Sequence, residues 1–279
     1  TESYYYDVRQ RIYYPYGFEN GLPVIRLGKL HYNNPVNAAQ YGLGFLQNYW
    51  DSERNEYLQE AKKVADNLIR IGEENEEQIV WKYPIPMKGQ INWLSAMAQG
   101  QAASLLLRIG VLYNDEYYYE KARKALTPFF KNLEKGGVAT TLTNYVWFEE
   151  YGINPPPFTL NGYIVAILGI RDAAVILKES HYEKMWIDSC ESLNSNLNLF
   201  DYHGWSKYCL SSKSLMGLTF RDLASPFYQR FHVELLKIMN ALNPTEKFQK
   251  YCKRWEKAIL NEPIFYKAIA EKIVYRLMP

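Results

Sequence analysis

The chain has 279 residues, 48% hydrophobic and 22% charged, enough apolar material for a large core in one domain or two, of which one is the simpler expectation. Its net charge of +2, with no basic run interleaved with aromatics, excludes a polynucleotide-binding surface, and no apolar run approaches the roughly 20 residues that cross a bilayer. The three cysteines, Cys190, Cys209 and Cys252, have neither C-x-x-C nor Cys/His spacing, so neither a disulfide framework nor a zinc site is expected. His181, His203 and His232 read as structural residues, and no metal or cofactor is expected. The first residues, T-E-S-Y-Y-Y-D, lack a secretory pattern, which favours a soluble, cytoplasmic protein; the chain starts at Thr1 rather than Met, which leaves an upstream segment open.

In residues 1–34 the aromatics Tyr4, Tyr5, Tyr6, Tyr13, Tyr14 and Tyr16 cluster and alternate, broken by Gly17 and Asn20-Gly21. One or two short strands joined by turns are predicted, a β-like lead-in to the domain that fills residues 35–279. A first helix opens at Asn34-Pro35, a capping residue followed by proline, and runs to about residue 50; Asp51 and Ser52 cap a second through Ile71. Residues 73–86 are polar, then strand-like from Ile79 to Tyr83. Helical periodicity returns over 92–113 and 115–134, followed by strand-like segments from Gly136-Gly137 to Phe148.

Residues 149–161 read E-E-Y-G-I-N-P-P-P-F-T-L-N. Two carboxylates and a phenol precede a triple proline, which fixes φ and pushes each preceding residue into extended geometry, so a stiff acidic loop entering a helix is predicted. The plainer reading leaves Glu149 and Glu150 as solvated charges. Helices follow over 161–178 and 182–199, then a non-helical excursion over 201–225, helices over 226–242 and from Pro244 or Thr245 to 260, and a short closing helix after Pro263.

The first helix of each pair is apolar nearly all round and the second alternates charged and apolar residues, as inner and outer layers do. Four helix hairpins at a repeat of about 60 to 70 residues predict an all-α fold, an (α/α) barrel with short β-hairpin excursions. With every inner helix running the same way, the long excursions and the inner-helix N-termini meet at one mouth, where free N–H groups favour an anion. Most of the 25 tyrosines read as core; some can form stacking platforms for sugar rings.

The segment W-x-S-A-M-A-Q-G-Q, here Trp93 with Ser95 to Gln101, resembles the signature of the C-terminal catalytic domain of D-glucuronyl C5-epimerases. The resemblance is carried further by E-E-Y (Glu149, Glu150, Tyr151) ahead of L-N-G (Leu160, Asn161, Gly162), by Tyr208 on a strand-like segment and by Y-x-x-x-H (Tyr228, His232), and it covers residues 35–260 in outline. It implies an (α/α) barrel that forms a homodimer and acts on uronate-containing polysaccharide, converting glucuronate to iduronate. By position it implies Glu150, Tyr151, Tyr208 and Tyr228 as catalytic and Asn161 as substrate-contacting.

Epimerising C5 of a uronate requires two acid/base groups on opposite faces, and donors for the enediolate. Glu150 would serve one face, with a raised pKa, and Tyr228 the other, with a lowered one, while Tyr151 and Tyr208 donate hydrogen bonds or relay protons. Trp93, Gln99, Gln101 and Arg230 are further candidate substrate contacts, although the A-x-G-Q-A spacing reads first as close helix packing. Where the vertebrate pattern has an arginine three positions after the tyrosine matching Tyr208, this chain has Ser211, and Arg221 or Arg230 would have to supply the cation. A uronate lyase on the same scaffold and a non-catalytic polysaccharide-binding protein are the alternatives.

Overall fold

The structure, a computed structural model, describes residues 3–13, 17–215 and 217–278. The strands β1 (Phe18–Glu19), β2 (Leu22–Leu27) and β3 (Leu30–Asn33) form an antiparallel sheet, and the helices α1 (Pro35–Ser52) and α2 (Asn55–Ile71) make the first hairpin. A small hairpin of β4 (Glu73–Glu74) and β5 (Ile79–Val80) leads to α3 (Ala96–Tyr113) and α4 (Glu116–Leu126). A second, β6 (Ala139–Leu142) with β7 (Tyr145–Phe148), leads to α5 (Leu160–Leu177) and α6 (Ser180–Asn196). The strands β8 (Asp201–Tyr202), β9 (Trp205–Leu215) and β10 (Leu218–Leu223) form an antiparallel sheet ahead of α7 (Pro226–Leu242), α8 (Glu246–Ile259) and α9 (Glu262–Leu277).

The inner helices neighbour one another in the order α1, α3, α5, α7, and each outer helix packs on its own inner partner. This is the (α/α)-barrel arrangement, and its physical cause is the contrast between layers. Every residue of α3 from Ala96 to Gly110 is buried, whereas α2 and α8 bury only narrow stripes such as Ala61, Val64, Ala65 and Leu68. The closest seam joins α3 and α5. A Cβ on Gly100 would lie 2.5 Å from the Ala166 carbonyl oxygen, and one on Gly169 would lie 2.2 Å from that of Gly100, so only glycine permits this approach. The packing role expected for the A-x-G-Q-A spacing is thus observed. By length and composition α5 is apolar enough to cross a membrane, closer to that limit than the sequence suggested, but 78% of it is buried as the central inner helix.

Several boundaries differ from the sequence reading. Asp51 and Ser52 finish α1 instead of capping α2; the turn is made by Glu53, which takes the left-handed conformation. Asn92 and Trp93 lie before α3, whose cap is Ser95, because Trp93 pairs in an isolated bridge with Tyr83. Pro128 ends α4 at Leu126 and starts a 3₁₀ turn, so the predicted run to residue 134 is not continuous. The closing helix α9 is 16 residues long, not short.

Residues 3–13 also depart from expectation, for they form a strap and not a strand. Gln47 holds the strap: its Oε1 accepts from the Val8 N–H at 2.7 Å, and its Nε2 donates to the carbonyls of Tyr4 and Tyr6 at 3.1 and 2.9 Å. Tyr4, Tyr6 and Val8 are buried in the main core, and a 3₁₀ turn at Arg9–Ile12 follows. The Tyr5 hydroxyl donates to Asp172 at 2.8 Å, and Asp172 pairs with the buried Arg108 at 3.0 Å. The Tyr6 ring meets Phe231 of α7 edge-on at 5.2 Å, so the strap bridges from α1 to α7. Tyr14 and Tyr16, assigned above to the same lead-in, lie outside the described residues.

Candidate active site

A cavity of about 520 Å³ opens where the four inner helices begin. Their N-terminal turns contribute Asn34, Val36 and Asn37 (α1), Ser95 and Met97 (α3), Asn161 (α5) and Phe227, Tyr228 and Phe231 (α7), as the common direction of the inner helices predicts. Caps explain why these turns form where they do: the side chains of Asn34, Ser95 and Ser225 accept from the N–H groups of Asn37, Ala98 and Tyr228.

The acidic loop forms one wall, and it is knitted on all sides. The Glu149 carbonyl accepts from Ala96 N–H at 2.8 Å, the Gly152 N–H donates to Leu94 at 2.8 Å, and the Gln90 amide makes two bonds to the Asn154 backbone, at 2.6 and 3.1 Å. On the far side the Leu210 N–H of β9 donates to Pro157 at 2.9 Å. Glu149 is fully buried, which overturns its reading as a solvated charge. The Phe158 N–H donates to both of its carboxylate oxygens at 3.1 and 3.2 Å, yet burial still pushes its pKa up to about 8.

Glu150 faces the cavity. Burial pushes its pKa up to about 7, held from rising further by donors on Tyr151, Asn161 and Tyr208; the Asn161 Nδ2 donates to its carboxylate at 3.3 Å. The room for that carboxylate comes from Gly162, where a Cβ would meet the Glu150 Cβ and Oε2 at 2.3 Å. The Tyr151 and Tyr208 hydroxyls are 2.8 Å apart, and the Tyr208 and Tyr228 rings meet edge-on at 4.8 Å. Glu150, Tyr151, Tyr208 and Tyr228 therefore form one contiguous cluster drawn from the loop, β9 and α7. Tyr208 stands behind the cavity, with Lys272 of α9, paired to Asp222, 5.3 Å over its ring. Burial, followed by the nearby Glu150 carboxylate, pushes all three phenols up, so the expectation of a tyrosine lowered toward neutrality is corrected: these phenols are protonated donors.

The remaining sequence candidates separate. Asn161 is 2% exposed at the cavity, and its Oδ1 has no hydrogen-bond partner among the described residues. Trp93 is wall: it stacks on Tyr83 at 4.2 Å, donates to the Ile85 carbonyl at 3.0 Å and lies 5.6 Å from the Tyr151 ring. Arg230 lines the cavity and is exposed. Gln99, however, is fully buried outside the cavity, its amide bonded to Trp81, Ile79 and Ala125 backbone groups. Gln101 lies one layer beneath, bonded to the Tyr6 hydroxyl at 2.7 Å and to Gln40. Neither meets the mouth as the sequence reading proposed, because a helix that is buried all round turns its polar side chains to protein partners. Arg221 is engaged elsewhere, 4.3 Å over the Tyr202 ring and beside Glu271. His181, His203 and His232 sit on separate elements, and among the described residues no three His, Cys, Asp or Glu side chains gather at metal-binding distance.

The sequence reading missed Tyr6, Asp7 and Arg11 of the strap, and Tyr32, Asn34, Asn37, Gln40 and Tyr83, all of which line the cavity. The run Tyr4-Tyr5-Tyr6 was the available signal, since three bulky aromatics without helical period need an existing core to bury them. Chemically, a carboxyl poised near neutrality beside protonated phenols, in a cavity ringed by helix N-termini, can take a proton from carbon and return one to it.

The model of the family described as D-glucuronyl C5-epimerase C-terminus matches residues 72–257. The chain belongs to that family. It is similar to the D-glucuronyl C5-epimerase of Caenorhabditis elegans, 32% identical over 175 residues, a match covering 58% of this chain and 28% of the nematode protein. It is also similar to an uncharacterized protein of Methanocaldococcus jannaschii, 28% identical over 238 residues, covering 81% of this chain and 70% of the archaeal one. Among solved structures it resembles cellobiose 2-epimerase from Bacillus thermoamylovorans B4167, with a TM-score of 0.59 and 16% identity over 82% of this chain and 60% of that one. It likewise resembles unsaturated glucuronyl hydrolase from Bacillus sp. GL1, with a TM-score of 0.52 and 13% identity over 80% and 61% of the two chains. At such identities these two likenesses establish the barrel alone. The family match leaves out the strap, α1, α2 and α9, although the strap and α1 supply much of the cavity lining.

Proposed function

We propose that the protein is a carbohydrate epimerase that inverts C5 of D-glucuronate residues within a polysaccharide, giving L-iduronate. The observation that carries the reading is the Glu150 carboxyl at the cavity, poised near neutrality beside the protonated phenols of Tyr151 and Tyr208, with Tyr228 packed edge-on against Tyr208. In this reading Glu150 takes the C5 proton on one face, and the electron pair delocalises into the uronate carboxylate as an enediolate. Tyr228 then gives its proton to C5 on the other face. The helix N-termini and the free Oδ1 and donors around Asn161 orient the sugar, while Trp93 and Arg230 flank it. Inversion leaves Glu150 protonated and Tyr228 as phenolate. The Tyr151–Tyr208 pair, lying between them, is suited to pass the proton back and reset the site, its hydroxyls exchanging with solvent between turnovers.

The test is proton NMR of H5 in D2O with unsulfated heparosan. The wild type is expected to exchange H5 and accumulate iduronate, with a rate that rises with pH through about 7 as Glu150 loses its proton. Glu150→Gln and Tyr228→Phe should each abolish net inversion and leave the fold intact. A variant retaining the base on one face should still exchange the epimer whose H5 points at that base, with retained configuration. Substantial inversion by either variant removes that residue from the pair, and growth of unsaturated-uronate absorbance in place of iduronate establishes a lyase.

A further inference from the structure

The strands β9 and β10 pair regularly from Leu215 and Leu218 to Ser212 and Arg221, and then their register jumps, so that Leu223 faces Lys207. The jump leaves residues 208–211 of β9 outside that pairing, an irregularity of the kind that re-aims side chains beside active sites. These residues turn to the acidic loop instead: Cys209 forms a bridge with Thr159, and the Leu210 N–H donates to Pro157 at 2.9 Å. Tyr208 thereby reaches Tyr151. Asp222, the β10 residue at the jump, accepts from the Cys209 thiol at 3.4 Å through one carboxylate oxygen and from the Lys272 ammonium of α9 through the other.

Three observations single out Lys272. Its ammonium lies 5.3 Å over the Tyr208 ring, which makes it, among the described residues, the cation in ring contact with the cluster of Glu150, Tyr151, Tyr208 and Tyr228. The Lys272 and Asp222 side chains are only 14% and 12% exposed, so their charges are little screened by solvent. The helix that carries Lys272 is fastened to the sheet: the Arg221 N–H donates to Glu271 at 3.1 Å, and the Lys213 ammonium donates to the Met278 carbonyl at 2.7 Å.

In the epimerase reading above, on which this inference rests, inversion leaves Glu150 protonated and the negative charge on Tyr228. Resetting moves a proton from Tyr208 to Tyr228, from Tyr151 to Tyr208 and from Glu150 to Tyr151, so the charge passes through Tyr208, which stands behind the cavity and does not line it. Burial and the Glu150 charge push Tyr228 up, while a hydrogen bond from Tyr208 pulls it back, so the two hydroxyls share the charge that develops. An ammonium over an aromatic face favours the electron-rich phenolate ring over the neutral phenol. We propose that Lys272, held by Asp222, is a positioning residue of this reaction, fixing Tyr208 between Tyr151 and Tyr228 and supplying the positive charge behind the phenols. The closing helix α9, which the family match leaves out, thereby belongs to the working site.

Lys272→Met alone strands Asp222 without its partner, so the deciding variant is Lys272→Met/Asp222→Asn, which removes both charges and keeps an acceptor for Cys209; Lys272→Arg keeps the cation. H5 exchange and inversion of unsulfated heparosan are followed together by proton NMR in D2O. Deuterium that enters through Glu150 returns with retained configuration, whereas inversion needs the proton of Tyr228, so the ratio of exchange to inversion reads the phenol side by itself. The double variant should melt within a few degrees of wild type, hold KM within about twofold and invert about tenfold more slowly with that ratio raised, the effect of losing one shielded cation–π contact. Lys272→Arg should keep most of the wild-type ratio. A folded double variant with the wild-type ratio, a rate that falls only as far as the melting temperature does, or an arginine variant no better than the double one overturns the assignment and leaves the epimerase reading standing. A wild type that exchanges no H5 overturns that reading, and this inference with it.

Discussion

At the scale of single residues the site is defined by what has been left out as much as by what is present. Gly162 lies in the first turn of α5, against the acidic loop, and the missing Cβ is the space that the Glu150 side chain fills. Gly162→Ala removes an unfavourable helix residue, worth about 1 kcal/mol in propensity, but drives a methyl into the Glu150 Cβ, an overpacking cost of about 1 to 3 kcal/mol. Stability should therefore change little, while the carboxylate loses its place. H5 exchange is expected to fall by about two orders of magnitude at a melting temperature within a few degrees of wild type, read by NMR and calorimetry. An activity loss no larger than the stability loss would make Gly162 a packing residue only.

At the scale of elements, the hairpin order and the inner and outer faces were legible in the sequence because burial of a whole helix and burial of one stripe leave different patterns in composition. The E-E-Y loop was legible because three prolines admit few conformations. The strap was not, since its shape is imposed by partners far along the chain: Gln47 on α1, Asp172 on α5 and Phe231 on α7. No local period encodes that, and reading Tyr4-Tyr5-Tyr6 as a strand was the consequence. Gln99 and Gln101 misled for a related reason, because their helix carries no outward face at all. The strap's anchor can be tested. Tyr5→Phe deletes one hydrogen bond to Asp172, costing about 1 kcal/mol, whereas Asp172→Ala removes the countercharge of a buried guanidinium, costing about 3 to 5 kcal/mol in urea unfolding. Equal effects would mean that the ion pair does not anchor the strap.

At the scale of the whole molecule, the site makes the fold depend on pH in the opposite sense to an ordinary set of paired carboxylates. Glu149 and Glu150 titrate near 8 and 7 in the folded protein, against 4.5 for a free glutamate. Between those values the folded state holds protons that the unfolded chain has released, so the stability they confer is fully present below the unfolded value and is lost as pH rises through the folded ones. His232 acts on the acid side: burial lowers it to about 3 from 6.5, so its contribution is present above the unfolded value and is lost as pH falls below it. Unfolding free energy should thus fall between pH 6 and pH 8 by about 2 to 3 kcal/mol, each full unit of differential protonation being about 1.4 kcal/mol. Glu149→Gln, which cannot ionise and keeps an acceptor for the Phe158 N–H, should flatten most of that slope without touching the cavity. Glu150→Gln should flatten the part below about pH 7. Urea titrations at pH 6, 7 and 8 on the three proteins measure it, and a wild type whose stability rises across that range would show that both carboxyls are ionised in the folded site, leaving Glu150 too weak a base to take a proton from carbon.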